Sequence, residues 1–471
     1  MNPSMRSTTP AINTRPACAM QRLALACASM LLLLSGCTRT LVPTPNLYTT
    51  TDNHPYQSTP EPYRSIMADI IYVTDRQQAQ HTQDNIRFGS KRTYDLTYGT
   101  VKVRIGNPSN TWEDLVYDST HAKRRHNYPV NTVNISKSGM LHDLVVNFEP
   151  VNDHRVILSP TAQEQKQRED QAFTNLIKAR IAECNRKEVD LYVHGVNNNL
   201  PYAAQTLAQI WHFLGRDSVP IVYSWPASVG GIRAYAYSRE SSEFTVSHLK
   251  RVIRLISQCE DVERINIIGH SRGCDILLSA LRELHIQRVS AETAPPSKID
   301  TVVLAAADID QGVFRERVFG EQVFETTRRI VIYTSPSDAA MGLADWMLDS
   351  VGRIGEFVIS TMDSSPVVKE RLRAFRSVQI IECRVNAGIA GHDYYYTNPA
   401  VLSDLILVLK DRLDPGAENG RPLDTTSDGT WRILKSYPEF TQDTPETVND
   451  GDPDQNASPS PASSGSSSPD P

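Results

Sequence analysis

Between residues 60 and 412 two hydrophobic patterns alternate. Short apolar runs rich in β-branched residues stand at 70–73, 101–105, 189–193, 219–225, 265–268, 302–306, 330–333 and 378–383. Each is too short and too uniformly apolar for an amphipathic helix, and has the character of a strand buried on both faces. Longer stretches with apolar positions at helical spacing fill the gaps, at 161–184, 201–215, 240–258, 274–284 and 400–413. Strands alternating with helices predict βαβ units, and so an α/β fold with a mostly parallel central sheet and helices on both faces. Residues 107–160 fit this alternation poorly and read as an insertion, with the basic run HAKRRH at 121–126 as a solvated loop. Over 339–375, Leu343, Trp346, Met347, Val351, Ile354 and Val358 recur at helical spacing. That stretch can form a lid over a site, or more plainly a helix packed on the sheet.

The two ends differ from this body. Leu23 to Leu34 is an apolar run of 12 residues after Arg6, Arg15 and Arg22. Twelve helical residues reach about 18 Å, short of a bilayer core of about 30 Å, so this is the anatomy of a signal peptide over 1–36. Translation can start at Met1 or at Met20. The run ends in Leu34-Ser35-Gly36-Cys37, which resembles the lipobox of bacterial lipoproteins. The resemblance implies that the Cys37 thiol carries diacylglycerol, whose chains contribute about 0.8 kcal/mol per buried methylene at a membrane. By the same analogy, Thr38 favours the outer membrane, facing the periplasm. Residues 37–60 then read as a linker from the lipid anchor. From 414 onward periodicity fades, and 457–471 reads ASPSPASSGSSSPDP, so 414–471 is expected to be a disordered acidic tail from which 431–440 can dock on the body.

Composition adds exclusions. Of 471 residues 40% are hydrophobic and 22% charged, which is ordinary for a globular chain. The net charge is −6, and six acids with no Lys or Arg fall within 441–471, leaving the rest neutral. Nothing there attracts nucleic acid. No Cys-x-x-Cys or Cys/His spacing suggests a metal, and no cofactor is expected.

The chemistry lies at strand ends. INIIGHSRGCDILL places Gly269-His270-Ser271-Arg272-Gly273 between a buried strand and a helix. G-x-S-x-G alone is a weak signal, but in that context it is the nucleophile elbow of an α/β-hydrolase. There Ser271 projects at the sheet's C-terminal edge, and Gly269 and Gly273 are small because side chains would collide across the turn. In that fold the acid and then the histidine follow the serine. Only His285 and His392 do so. His285 lies 14 residues along the next helix, about 21 Å away by helical rise, which leaves His392 as base. Asp338, after the strand at 330–333, is the expected acid, and Asp308, in LAAADID, is its rival or a residue that shapes the pocket. The strand ending in His194-Gly195-Val196-Asn197 resembles the oxyanion loop of esterases. It offers the Val196 N–H together with that of Arg272, with His194 and Asn197 bracing the loop.

The motifs VHGVNNNLPYAAQTLAQI, VPIVYSWPASVGGIRAYAYSRESS, GHSRG, LAAADID, YTSPSDAAM and GHDYYY, taken in order, resemble a bacterial α/β-hydrolase-like family catalogued as a domain of unknown function, number nine hundred. The resemblance runs from about Asp69 to Leu413 and implies Ser271, Asp338 and His392 as the triad, leaving the substrate open. Many relatives carry Met where this chain has Arg272. That cation can attract an anionic group or, more plainly, form a surface salt bridge with Asp275. In the α/β-hydrolase strand order, the strands after Cys184 and Cys259 are neighbours, which predicts a disulfide between them. Cys274 and Cys383 read as core. The expected function is that of a membrane-anchored serine hydrolase acting on an ester or thioester. A peptidase or amidase with the same triad, or a non-catalytic envelope scaffold, are the alternatives.

Overall fold

The computed structural model of the protein describes residues 39–51, 54–80, 86–291, 296–338, 376–385, 391–426 and 429–440. The lid expected over 339–375, the signal peptide with Cys37, and residues 441–471 lie outside them. Strands β1 (Met67–Gln80), β2 (Arg87–Ile105) and β3 (Val130–Leu141) come first, then a small hairpin of β4 (Phe148–Asn152) and β5 (Arg155–Leu158). Next come β6 (Glu188–Val193), β7 (Val219–Ser224), β8 (Arg264–His270), β9 (Ile299–Ala305), β10 (Arg329–Thr334) and β11 (Val378–Cys383). Strands β12 (Asp424–Thr425) and β13 (Trp431–Ile433) follow. Among the described residues all but the hairpin join one sheet of order β12-β13-β11-β10-β9-β8-β6-β7-β1-β2-β3. Neighbours from β1 across to β13 are parallel, and antiparallel strands flank them on both sides.

Every residue of β6, β7, β9 and β10 is buried, which is why these strands are continuous apolar runs in the sequence. The chain passes from β6 outward to β7, then returns across β6 to β8 and winds the other way. That reversal opens a crevice beyond the C-terminal ends of β6 and β8, where open α/β sheets bind ligands. Strand β3 and the first half of β2 escape the hydrophobic pattern because their outer positions face solvent.

The helices are α1 (Asn46–Thr50), α2 (Trp112–Thr120), α3 (Pro160–Ala182), α4 (Leu200–Phe213), α5 (Ile232–Gln258), α6 (Arg272–Val289), α7 (Gln311–Arg315), α8 (Tyr394–Thr397) and α9 (Pro399–Leu409). Three starts share one device. Ser159, Asn199 and Asn398 each accept a bond from a first-turn N–H, and a proline follows where no N–H is needed. Helix α5 begins eight residues before the expected 240, because its first turns are largely exposed and show no apolar stripe.

Three expectations need correction. Residues 39–51 and 54–60 are not a loose linker, since Leu41, Val42, Leu47, Tyr48 and Tyr56 are buried. Leu41 N–H donates to Tyr128 O at 2.8 Å, Val42 N–H to Gln209 Oε1 at 2.9 Å and Leu47 N–H to Ser403 Oγ at 3.0 Å. A strap whose helical turns are only four or five residues long has too little period to betray it.

The body also runs past 413. Strand β13 pairs in parallel with β11, and Arg421 is fully buried in a two-bond ion pair with Asp404, at 2.8 and 2.7 Å. Tyr333 and Tyr437 also donate to Asp404, and Arg421 to Gln379 Oε1. Removing one partner strands the other charge in the core. Arg421→Met is expected to cost about 3–5 kcal/mol, read as a lower urea midpoint with an unchanged slope.

The predicted disulfide is absent. Cys184 and Cys259 are both free thiols. The Cys184 thiol donates back into its own helix end, to Arg180 O at 3.3 Å. Adjacency of two strands sets their backbone ladder, not the direction of side chains in the loops six or seven residues before them.

Candidate active site

Ser271 sits between β8 and α6 with φ 53° and ψ −125°, a backbone that L-residues rarely adopt and that costs roughly 1–3 kcal/mol. Three backbone bonds hold it. Ser271 N–H donates to Ala305 O at 3.0 Å, and Ser271 O accepts from Cys274 N–H at 3.0 Å and Asp308 N–H at 3.3 Å. The glycines stand where a side chain would collide with backbone. A Cβ on Gly273 would stand 2.4 Å from Val193 O, and one on Gly269 would stand 3.1 Å from Cys274 Cα. One on Gly195 would stand 2.8 Å from Ser271 Cβ, so the loop after β6 lies directly against the Ser271 side chain.

His392 precedes α8, and its Nδ1 lies 2.9 and 3.1 Å from the two carboxylate oxygens of buried Asp338, just after β10. An ionised carboxylate only accepts, so Nδ1 carries the proton and Nε2 is left as the basic nitrogen. Burial works against charge on this imidazole, but the hydrogen bond and charge of Asp338 outweigh it, so the His392 pKa is raised above its ordinary 6.5. Of the two aspartates, Asp338 meets the His392 ring. His392 reaches the elbow through His270, whose ring centroid is 4.7 Å away and whose Nε2 lies 3.2 Å from His392 O. The Ser271 hydroxyl and the His392 ring are not themselves hydrogen-bonded, and such contacts commonly tighten only in the substrate complex. His285 is held within α6, away from this group.

The other acid has a different partner. Asp308 Oδ2 lies 2.7 Å from Arg272 and accepts from Tyr235 OH at 3.1 Å. Arg272 also pairs with Asp275 at 3.0 Å and is buried, so the surface salt bridge expected from sequence is an interior one. Its guanidinium is committed to two carboxylates and does not wait for an anionic substrate.

The loop after β6 is held by several side chains. His194 is fully buried, with Nδ1 2.7 Å from Gly195 O and Nε2 3.2 Å from Ser224 Oγ. Its ring stacks on Trp225, whose Nε1–H donates to His194 O at 2.6 Å. Burial first, and then nearby Arg76, push its pKa well below 6.5, so it is a neutral brace. Asn197 also adopts a positive φ of 53°, and its Oδ1 accepts from Gly230 N–H at 3.2 Å.

Arg76, in β1, is the residue sequence reasoning missed. It is buried, and it donates to Asn198 O at 2.8 Å, Ser224 Oγ at 3.0 Å, Gly89 O at 3.0 Å and Ala227 O at 3.1 Å. Burial, opposed by Asp75, pushes its guanidinium down to about 10, still charged at neutral pH. The one signal for it was an arginine just beyond the apolar run at 70–73. His270, Tyr235 and Trp225 were also passed over, because their roles depend on partners distant in sequence.

No curated protein matches this chain. Among solved structures, a lipase-esterase related protein from Clostridium acetobutylicum is similar at 13% identity, over 47% of this chain and 94% of that one, with a TM-score of 0.23. The family model described as alpha/beta hydrolase of unknown function (DUF900) matches residues 169–412, just over half of the sequence and the span that carries the elbow, both acids and His392. By that match the chain belongs to this family of alpha/beta hydrolases.

Proposed function

We propose that the protein is a membrane-anchored serine hydrolase that cleaves a carboxylic ester or thioester through an acyl-enzyme on Ser271. The observation that carries this reading is the Asp338–His392 pair, bonded through Nδ1 and packed against the residue preceding a strained Ser271. Ser271 Oγ attacks the carbonyl carbon while His392 Nε2 takes its proton. The carbonyl oxygen becomes an oxyanion held by the N–H groups of Val196 and Arg272. Arg272 is the first residue of α6, so its N–H has no partner within the helix. The carbon–oxygen or carbon–sulfur bond then breaks, and the leaving group departs with the proton from His392. Water repeats the sequence on the acyl-enzyme, freeing the acid and Ser271. The test is reaction with a fluorophosphonate probe, followed by peptide mass mapping. The adduct is expected on Ser271, and a protein that stays unlabelled would overturn the reading.

The pH profile carries the mark of Asp338. His392 must be neutral to accept a proton, so kcat/KM rises as pH rises through its pKa. Because that pKa is raised, the acid limb is expected to reach half-height above pH 6.5. A limb centred below 6.5 would contradict the pairing.

Arg76 touches no reacting atom and acts by holding the loop that carries Val196. Arg76→Met is expected to lower kcat about 10²-fold, as displacement of an oxyanion donor does, with KM little changed. Arg76→Lys restores the charge without the fork and should recover only part of that loss. Equal falls in activity and folded fraction would instead mark a purely structural residue.

A further inference from the structure

The strap at the start of the described body is fixed beside the candidate site. Arg39 is the first described residue and stands two places after Cys37. Its guanidinium lies 3.7 Å from the centre of the Tyr202 ring, donates to Tyr202 O at 3.0 Å and bonds the Tyr396 hydroxyl. Both tyrosines belong to the site's surroundings. Tyr202 lies in the first turn of α4, directly after the proposed oxyanion loop, and its hydroxyl is 3.4 Å from Asp393 Oδ2. Asp393 follows His392, and Tyr396 lies in α8 on the same loop. Arg39 O accepts from Val130 N–H at 2.7 Å, and Thr40 bridges antiparallel to Pro129. Just beyond Val130, Thr132 donates to Pro201 O at 3.4 Å, so the strap's first described residues lie beside the helix that carries Tyr202.

A linker over 37–60 would have let the body turn freely at the end of a tether. With the strap bound from Arg39 onward, the two-residue step from Cys37 to this fixed point reaches roughly 7 Å when extended. We propose that acylated Cys37 holds the rim of the catalytic crevice, at Tyr202 and Asp393, against the membrane surface, and that the substrate is an ester carried in that membrane. The inference rests on the serine-hydrolase reading and on the Cys37 lipobox. A tether this short raises the effective concentration of bilayer-borne esters at Ser271, whereas a long flexible one dilutes it. Exposed Tyr202, in the first turn of α4, and exposed Val229, in the loop before α5, flank the oxyanion segment, and Gly230, next to Val229, bonds Asn197.

The experiment uses the full chain produced in a lipoprotein-processing host and reconstituted in phospholipid vesicles. The parent is compared with a variant carrying a 20-residue Gly/Ser insertion (~20 residues gives a random-coil reach several times the native tether) between Thr38 and Arg39. Two substrates are read: a long-chain fluorogenic ester embedded in the vesicles, and soluble p-nitrophenyl acetate. The insertion is expected to lower turnover of the embedded ester at least about tenfold and to leave the soluble ester unchanged. Equal turnover of the embedded ester by both proteins would overturn the proposal, as would an unacylated Cys37 in the mature protein by mass spectrometry. Absence of fluorophosphonate labelling in the parent would instead remove the hydrolase reading beneath it, so the two failures are distinguishable.

Discussion

Replacing Ser271 with alanine is expected to abolish fluorophosphonate labelling and to lower kcat on a p-nitrophenyl ester by roughly 10⁴–10⁶-fold, about 5–8 kcal/mol of barrier. The fold should survive the change. The bonds that fix the elbow, from Ser271 N–H to Ala305 O and from Cys274 and Asp308 to Ser271 O, are all main-chain. Alanine meets the same strained φ that serine does, and its Cβ fills the same space against Gly195. The loss therefore reports the hydroxyl alone. A variant that folds like the parent and keeps more than about one hundredth of its activity would place the nucleophile elsewhere.

The second large effect separates the two acids. Asp338→Asn keeps shape and volume but exchanges one carboxylate oxygen for an N–H₂ donor, which can hold His392 with the wrong nitrogen protonated. In the Ser-His-Asp template that change lowers kcat about 10⁴-fold, and a comparable loss is expected here. The acid limb of kcat/KM should also move to lower pH, since the group that raises the His392 pKa has lost its charge. Asp308→Asn should behave differently. Asp308 serves Arg272 and Tyr235, and Arg272 retains Asp275 at 3.0 Å. Its replacement is expected to cost about 1–3 kcal/mol of stability and less than about tenfold in kcat. Kinetics and urea unfolding of both variants check this, and a reversal of the two patterns would exchange their roles.

Arg272 shows how far a local reading reaches. Its i,i+3 spacing to Asp275 on one helix is legible in the sequence, and the structure contains that pair. Asp308, 36 positions away, and the burial that makes both bonds strong come from β9 ending beside β8. The exposed rim and the buried interior are the same string of letters until the sheet exists.

By itself the sequence determined the parallel strands β1 and β6 to β11, the strand–turn–helix at Ser271, and the chain order of Ser271, Asp338 and His392. Each of these is written in near-neighbour terms: period, strand–turn–helix punctuation, and chain order. Only the tertiary structure decided which aspartate meets His392, that Arg76 clamps the loop beside Ser271, that residues 39–51 form a bound strap, and that Cys184 and Cys259 stay free thiols. Those outcomes depend on where side chains from distant segments point once the sheet is wound. Hydrophobic periodicity reports burial along one element and carries no information about the partner across from it.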